Sequence, residues 1–298
     1  MNSLDRKTPP IPISLGRSRT LLAIALSVAL CAAAGPAWSQ ERYDEHELTD
    51  RFYITLGGFS QSEIRTTFRL DVESQGGITL GTVIALEKQF DLDDQVSTGR
   101  LDGWYRFNER HRIGWTYWQT ERDGVRTYDG SESIVIGDDV IIDTGDTITI
   151  KDDRSLIALD WSYSFVNTSK YEAWLGAGFN FQRIDTSFDV SKRGGNNTLQ
   201  QDAKGTVPIP TLNLGGRWDF SKRWRMFVSQ ELFGIKVGDF EGKLNTTRVL
   251  AEFNITRRFG IGGGFERYNF EVDAKDDNFL GRLDSSFTGL SLYLKGQL

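Results

Sequence analysis

Ser286-Phe287-Thr288-Gly289-Leu290-Ser291-Leu292-Tyr293-Leu294, close to the C-terminus, alternates apolar and polar residues. Leu290, Leu292 and Leu294 fall on one side of an extended strand, and Ser291 and Tyr293 on the other. The strand thus has one greasy face and one mixed face. The same grammar recurs upstream. Leu101, Gly103, Tyr105 and Phe107 oppose Arg100, Asp102, Trp104 and Arg106, and Ile113, Trp115 and Tyr117 continue the apolar set.

The turns between these runs are more telling. Asn108–His111, Val166–Lys170, Ser221–Arg223 and Thr256–Arg258 are short and polar or basic. Each is bracketed by aromatics: Phe107 before the first; Trp161, Tyr163 and Phe165 before the second and Tyr171 after it. Trp218, Phe220 and Trp224 flank the third, and Phe253 and Phe259 the fourth. Aromatic rings favour a membrane–water interface, where an apolar body meets a polar neighbour. A soluble sandwich also alternates, but it has no reason to mark one end of its hairpins this way. The longer connections fall on the opposite side: Thr127–Asp152, Ser191–Thr206, Gly238–Glu241 and Ala274–Arg282. The largest, with Ile134, Ile136, Val140 and Ile142 around turn residues, predicts a hairpin carried beyond the membrane.

These features predict an all-β, antiparallel transmembrane β-barrel over residues 51–298, with both ends of the domain in the periplasm. The last strand must close against the first, because an open sheet edge cannot survive in lipid. No stretch beyond the N-terminal leader is long and apolar enough for a spanning helix. The count turns on Phe52–Val72. Phe52, Ile54, Leu56 and Gly58 form an outward set that Ile64, Phe68, Leu70 and Val72 continue. A turn at Gln61–Glu63, with Ser74–Gly77 as a second, gives twelve strands; one long strand gives ten. Twelve is expected, because a single strand would overshoot an apolar band of ~25 Å. Ile78, Leu80, Ile84 and Leu86 would form the next strand. Gly260–Gly264 sits inside a strand, where glycines permit curvature and let aromatics pack over them.

Residues 1–39 read as a secretory signal peptide. Arg17 and Arg19 precede the uncharged run Leu21–Ala34, and Ala37-Trp38-Ser39 places cleavage before Gln40. That run falls short of the ~20 residues of a spanning helix. Leu30 before Cys31 is bulky where a lipoprotein signal needs a small residue. Residues 40–50 form a polar periplasmic lead-in. The whole chain carries a net charge of −6, and the leader removes more base than acid. This acidity argues against nucleic acid as a partner. Cys31, the one cysteine, leaves with the leader, so no disulfide or thiol chemistry is expected.

The leader and the terminal strand together resemble single-chain bacterial outer-membrane β-barrel proteins. Phe287, Gly289, Leu292 and Leu294 look like the C-terminal β-signal read by the barrel assembly machinery. The chain departs from that pattern by continuing through Lys295-Gly296-Gln297-Leu298 instead of ending on an aromatic. The resemblance implies residence in the outer membrane, with lipid and lipopolysaccharide as neighbours and the assembly machinery as a transient partner. It covers channels, adhesins, proteases and lipid hydrolases, so it selects no activity.

Catalysis is not expected. His46 lies in the lead-in and His111 in a short turn, so neither reaches the outer surface where an external substrate would be met. Asp138, Asp139, Asp143 and Asp146 crowd one outer loop, with Asp152-Asp153 beyond, but their spacing matches no calcium loop. No cofactor or metal is expected. Continuing the alternation sends Arg65, Arg69, Arg100, Asp102, Arg106, Asp160 and Glu172 inward. The second half of the chain adds Arg217, Asp219, Arg225, Glu231, Arg248, Glu252 and Glu266. This balanced set, with Trp104, Trp118 and Trp174, predicts a largely plugged lumen and a structural or surface-interaction role through the outer loops. The alternatives are a small passive channel and an outer-membrane hydrolase with an unrecognised site.

Overall fold

A computed structural model describes residues 51–298 except 71, 75–76, 80–82, 132, 137–139, 195–197, 238–239 and 277–278. The leader, the lead-in, His46, Asp138 and Asp139 lie outside the described residues. Ten long strands form the wall: β1 (Phe52–Leu70), β2 (Val96–Arg106), β3 (His111–Thr127), β4 (Thr147–Asn167) and β5 (Tyr171–Ser191). They continue as β6 (Thr198–Asp219), β7 (Trp224–Val237), β8 (Phe240–Asn254), β9 (Phe259–Asp276) and β10 (Phe279–Gln297). Each pairs antiparallel with its sequence neighbours, and β10 returns to β1 with Leu294 opposite Leu56. The terminal strand therefore closes the barrel.

The wall has ten strands, not twelve, and the reason lies in one residue. Phe52–Leu70 is continuous, but its register with β10 shifts between Ser62 and Arg65. Glu63 there adopts a left-handed conformation, φ 53°. The extra residue is a β-bulge, and it turns the strand over without ending it. Tyr53, Thr55, Phe59 and Gln61 face inward before the bulge; Ile64 and Thr66 face inward after it. The expected strand after Gly77 is likewise not part of the wall. Val83–Ala85 is a short strand laid against β1 outside the ring, and Leu86–Phe90 is a five-residue helix, α1.

The four expected short turns all lie at one end of the barrel, with Phe52 and Leu298 beside them. The opposite connections are shorter than expected, because the strands themselves run on. β5 and β6 stay paired out to Ser191 and Thr198. Between β3 and β4, Ile134–Ile136 pairs with Val140–Ile142, the hairpin that the isoleucine pattern predicts. Outside, Leu290, Leu292 and Leu294 are among the most exposed side chains, with Leu212, Leu175 and Leu159. This apolar belt ends at the turn end in a run of rings, Tyr171–Trp218–Phe220–Trp224–Phe253, with neighbouring centroids 5.0–6.4 Å apart.

Candidate functional site in the barrel interior

Alternation puts a charged set inside, and the set sorts into layers. Nearest the turn end, Glu172 lies 2.6 Å from Arg106, 3.1 Å from Arg217 and 3.5 Å from Arg112. Arg217 continues to Asp219 at 3.0 Å, and Asp219 to Arg225 at 2.6 Å. The Arg112 guanidinium lies 4.0 Å from the Trp174 ring centroid and 5.0 Å from that of Trp104, which lends it cation–π stabilisation. Trp104 in turn stacks on Tyr53 at 3.6 Å. Beside this hub, the buried Glu252 accepts from Lys295 at 2.8 Å and from the hydroxyls of Tyr293 and Tyr53.

One layer further in, Asp102 and Glu266 face Arg100 and Arg248 in a four-membered ring of ion pairs, all 2.8–3.2 Å. Arg100 also covers the Phe59 ring at 4.8 Å. Next comes an apolar layer. Phe59, Trp118, Tyr268 and Phe287 pack from four strands, with Tyr268 and Phe287 stacked at 4.8 Å. Beyond it, Arg122 and Arg154 meet Asp152 at 2.6 and 2.9 Å. Arg122 also binds Glu87 of α1 at 2.8 Å, and Glu87 accepts from the Thr66 N–H. Leu86, Phe90 and Leu92 then pack on Ile142, Ile148, Ile150, Phe188 and Val190 as a cap over the loop end.

Two predicted interior residues fall elsewhere. Arg65 is exposed, and Arg69 sits at the loop-end rim, 4.0 Å from Asp273. The bulge at Glu63 explains both, since one extra residue reverses every side chain after it. The other twelve predicted charged residues line the interior. Ten of them are in the networks above. Asp160 and Glu231 differ: Asp160 accepts from Ser162 at 2.9 Å and Glu231 from Asn180 at 3.2 Å. Both line a cavity of about 120 Å³ with Asn213, Ser229 and Thr116. Sequence reasoning missed Arg112, Arg122, Asp152, Arg154 and Lys295. Their signal was present, because each shares parity with an interior residue two or four positions away.

Of the β-signal residues, Phe287 and Gly289 face inward, with Gly289 directly under the Phe59 ring. Leu292 and Leu294 face outward. His111 lies on the outer face at the turn end, between Phe107 at 5.7 Å and Trp161 at 5.4 Å. Asp143 and Asp146 bind Lys192 at 3.1 and 2.8 Å.

A closed antiparallel ring with an apolar exterior and an aromatic margin is the architecture of single-chain bacterial outer-membrane β-barrel proteins. The chain is similar in structure to the outer membrane protease OmpT from Escherichia coli (13 % identity, TM-score 0.44, covering 86 % of this chain and 100 % of that one). It is also similar to the translocator domain of the autotransporter NalP from Neisseria meningitidis (9 %, 0.44, 94 % and 98 %). A third is the outer membrane protein OprG from Pseudomonas aeruginosa (10 %, 0.32, 84 % and 96 %). No protein-family model and no curated protein sequence matches the chain. Values this low describe general architecture and carry no activity across.

Proposed function

We propose that this is an integral protein of the bacterial outer membrane, exported by its cleaved leader, with a closed axis and no catalytic role. Its short turns and both described ends face the periplasm, and its capped loop end faces outward, where it serves a structural or surface-interaction role. The aromatic run at the turn end and the apolar belt support this orientation, since short turns belong to the periplasmic side of such barrels. Lipid and lipopolysaccharide then cover the belt, and the assembly machinery reads Phe287–Leu294.

The observation that carries the closed axis is the apolar layer of Phe59, Trp118, Tyr268 and Phe287, packed between two ion-pair layers. A water path along the axis would have to separate these rings and break both hubs. Ten strands lie between filled eight-stranded barrels and open sixteen-stranded ones, so side chains decide the matter. The absence of catalysis is supported by His111, whose outward, aromatic-packed position leaves no interior carboxylate or hydroxyl for it to activate.

Swelling of proteoliposomes in isotonic small sugars and amino acids tests the proposal. The expected rate equals that of protein-free liposomes, with the barrel folded as judged by heat-modifiable gel migration. Size-dependent swelling by folded protein would replace this reading with the passive channel.

A further inference from the structure

The four short turns are basic, although the chain as a whole is acidic. They carry Arg110, Lys170, Lys222, Arg223, Arg257 and Arg258, all exposed, against one exposed acid, Glu109, beside Arg110. The turns join every second pair of strands, so these charges are spread along the rim and not gathered at one point. The loop end interleaves its cations with acids. There Arg126, Arg183, Lys192, Lys236, Lys243 and Arg282 each lie 2.7–3.4 Å from an aspartate or glutamate. Among the described residues, Arg110, Lys170, Lys222, Arg223 and Arg258 make no ion pair within 4.0 Å.

Two of the guanidiniums show which way the rim faces. Arg110 donates to the Tyr163 hydroxyl at 2.9 Å, and Arg223 lies 5.9 Å from the Phe253 ring centroid. Both rings belong to the outer wall, because their chain neighbours Ser162, Ser164, Glu252 and Asn254 are buried inside. These cations therefore stand on the outer side of the rim, where the apolar belt ends. They do not lie over the axis, where Glu172 already holds Arg106, Arg112 and Arg217. Phe253 continues through Trp224 and Phe220 to Trp218 as one aromatic margin. Such a margin sits at the headgroup level of a membrane, and basic side chains held there attract anionic headgroups. A zwitterionic headgroup brings its own cation, so an excess of positive charge on the rim discriminates against it.

We propose that the turn-end rim recruits anionic phospholipid, with headgroup phosphates at the six turn cations and acyl chains along the aromatic margin. The proposal rests on the barrel lying in a membrane, but it is independent of whether the axis conducts. Residues 40–298 are folded into phosphatidylcholine vesicles holding a small fraction of brominated phosphatidylglycerol or brominated phosphatidylcholine, whose bromine quenches tryptophan on contact. Trp161, Trp218 and Trp224 are exposed on the outer wall at this end, whereas Trp104, Trp118 and Trp174 lie inside. Brominated phosphatidylglycerol should reach half-maximal quenching at about threefold lower mole fraction than brominated phosphatidylcholine, with the difference shrinking at high salt. R110Q/K170Q/K222Q/R223Q/R257Q/R258Q should abolish the preference and leave quenching by phosphatidylcholine unchanged; R110Q/R223Q should reduce it. Heat-modifiable migration confirms folding, and R110Q/R223Q decides the matter if the sixfold variant does not fold. Equal quenching by the two lipids in folded wild-type protein, or an undiminished preference in the folded variants, would overturn the proposal. The acidic lead-in, with Glu41, Asp44, Glu45, Glu47 and Asp50 just before Arg51, is the rival occupant. A preference that emerges only after residues 40–50 are removed would assign the rim to that segment and overturn the proposal. No quenching by either lipid would instead overturn the membrane reading on which it rests.

Discussion

On the proposed reading, the two ends of this barrel are closed by different means. At the turn end, Glu172, Arg106, Arg112, Arg217, Asp219 and Arg225 all project from the strands themselves. Their meeting follows from regular alternation. At the loop end, Arg122, Arg154 and Asp152 also come from strands, but the closure is completed by α1 and its flanks, which lie outside the ring. Arg122 and Arg126 hold that segment through Glu87 and the Lys88 carbonyl, each near 2.8 Å. The first closure is intrinsic to the wall and the second is docked onto it. Global stability should depend on the first, and local opening on the second.

Glu172→Ala should show the largest effect. It strips the shared counter-charge from Arg106, Arg112 and Arg217, all buried. Breaking a buried pair from one side costs about 3–5 kcal/mol, because the remaining charges stay desolvated. Urea unfolding in lipid vesicles measures it, and a loss under about 1 kcal/mol would mean that water reaches this hub.

Arg122→Met should act more locally. Asp152 keeps Arg154, while Glu87 loses its arginine. The expected result is faster proteolysis around Val83–Leu92 with a smaller shift in the global midpoint than Glu172→Ala produces. Equal global losses would erase the distinction between the two ends.

The smallest effect belongs to the outer hairpin. Burial pushes the Asp146 carboxyl up, but hydrogen bonds from Lys192 and from the Asp143 and Arg193 N–H groups outweigh it and hold the group below the usual range. A lowered folded value means stabilisation that is present above the unfolded pKa of ~4 and lost as pH falls through the folded one. Amide exchange near Lys192–Arg193 should therefore accelerate in acid. Asp146→Asn should show the faster exchange already at pH 7 and little further change on acidification.

The contrast between the ends also explains what could be read from the chain. From Val96 onward the alternation carries through the strands despite a register shift in the β4–β5 ladder beside Ala173 and Trp174, so the orientation of Arg100, Asp102, Arg106 and the later interior charges was legible. The bulge was not, because Glu63 carries a positive φ that sequence usually advertises with glycine. That one residue misdirected Arg65 and Arg69 and turned one strand into two. Arg122, Arg154 and Asp152 shared the parity of interior residues; Asp152 fell in the stretch read as a loop, and Arg122 and Arg154 flanked it. The docking of Leu86 and Phe90 over Ile148 and Ile150 joins segments some sixty residues apart, which no local period can express.

Single-channel recording in planar bilayers at high salt tests the closed axis most directly. Folded barrel inserted into the membrane should give no uniform conductance steps, because Phe59, Trp118, Tyr268 and Phe287 fill the middle of the lumen. Stable unitary steps, altered in size or ion selectivity by charge reversal at Arg100 or Glu266, would contradict that account and establish an open pore through the ion-pair layers.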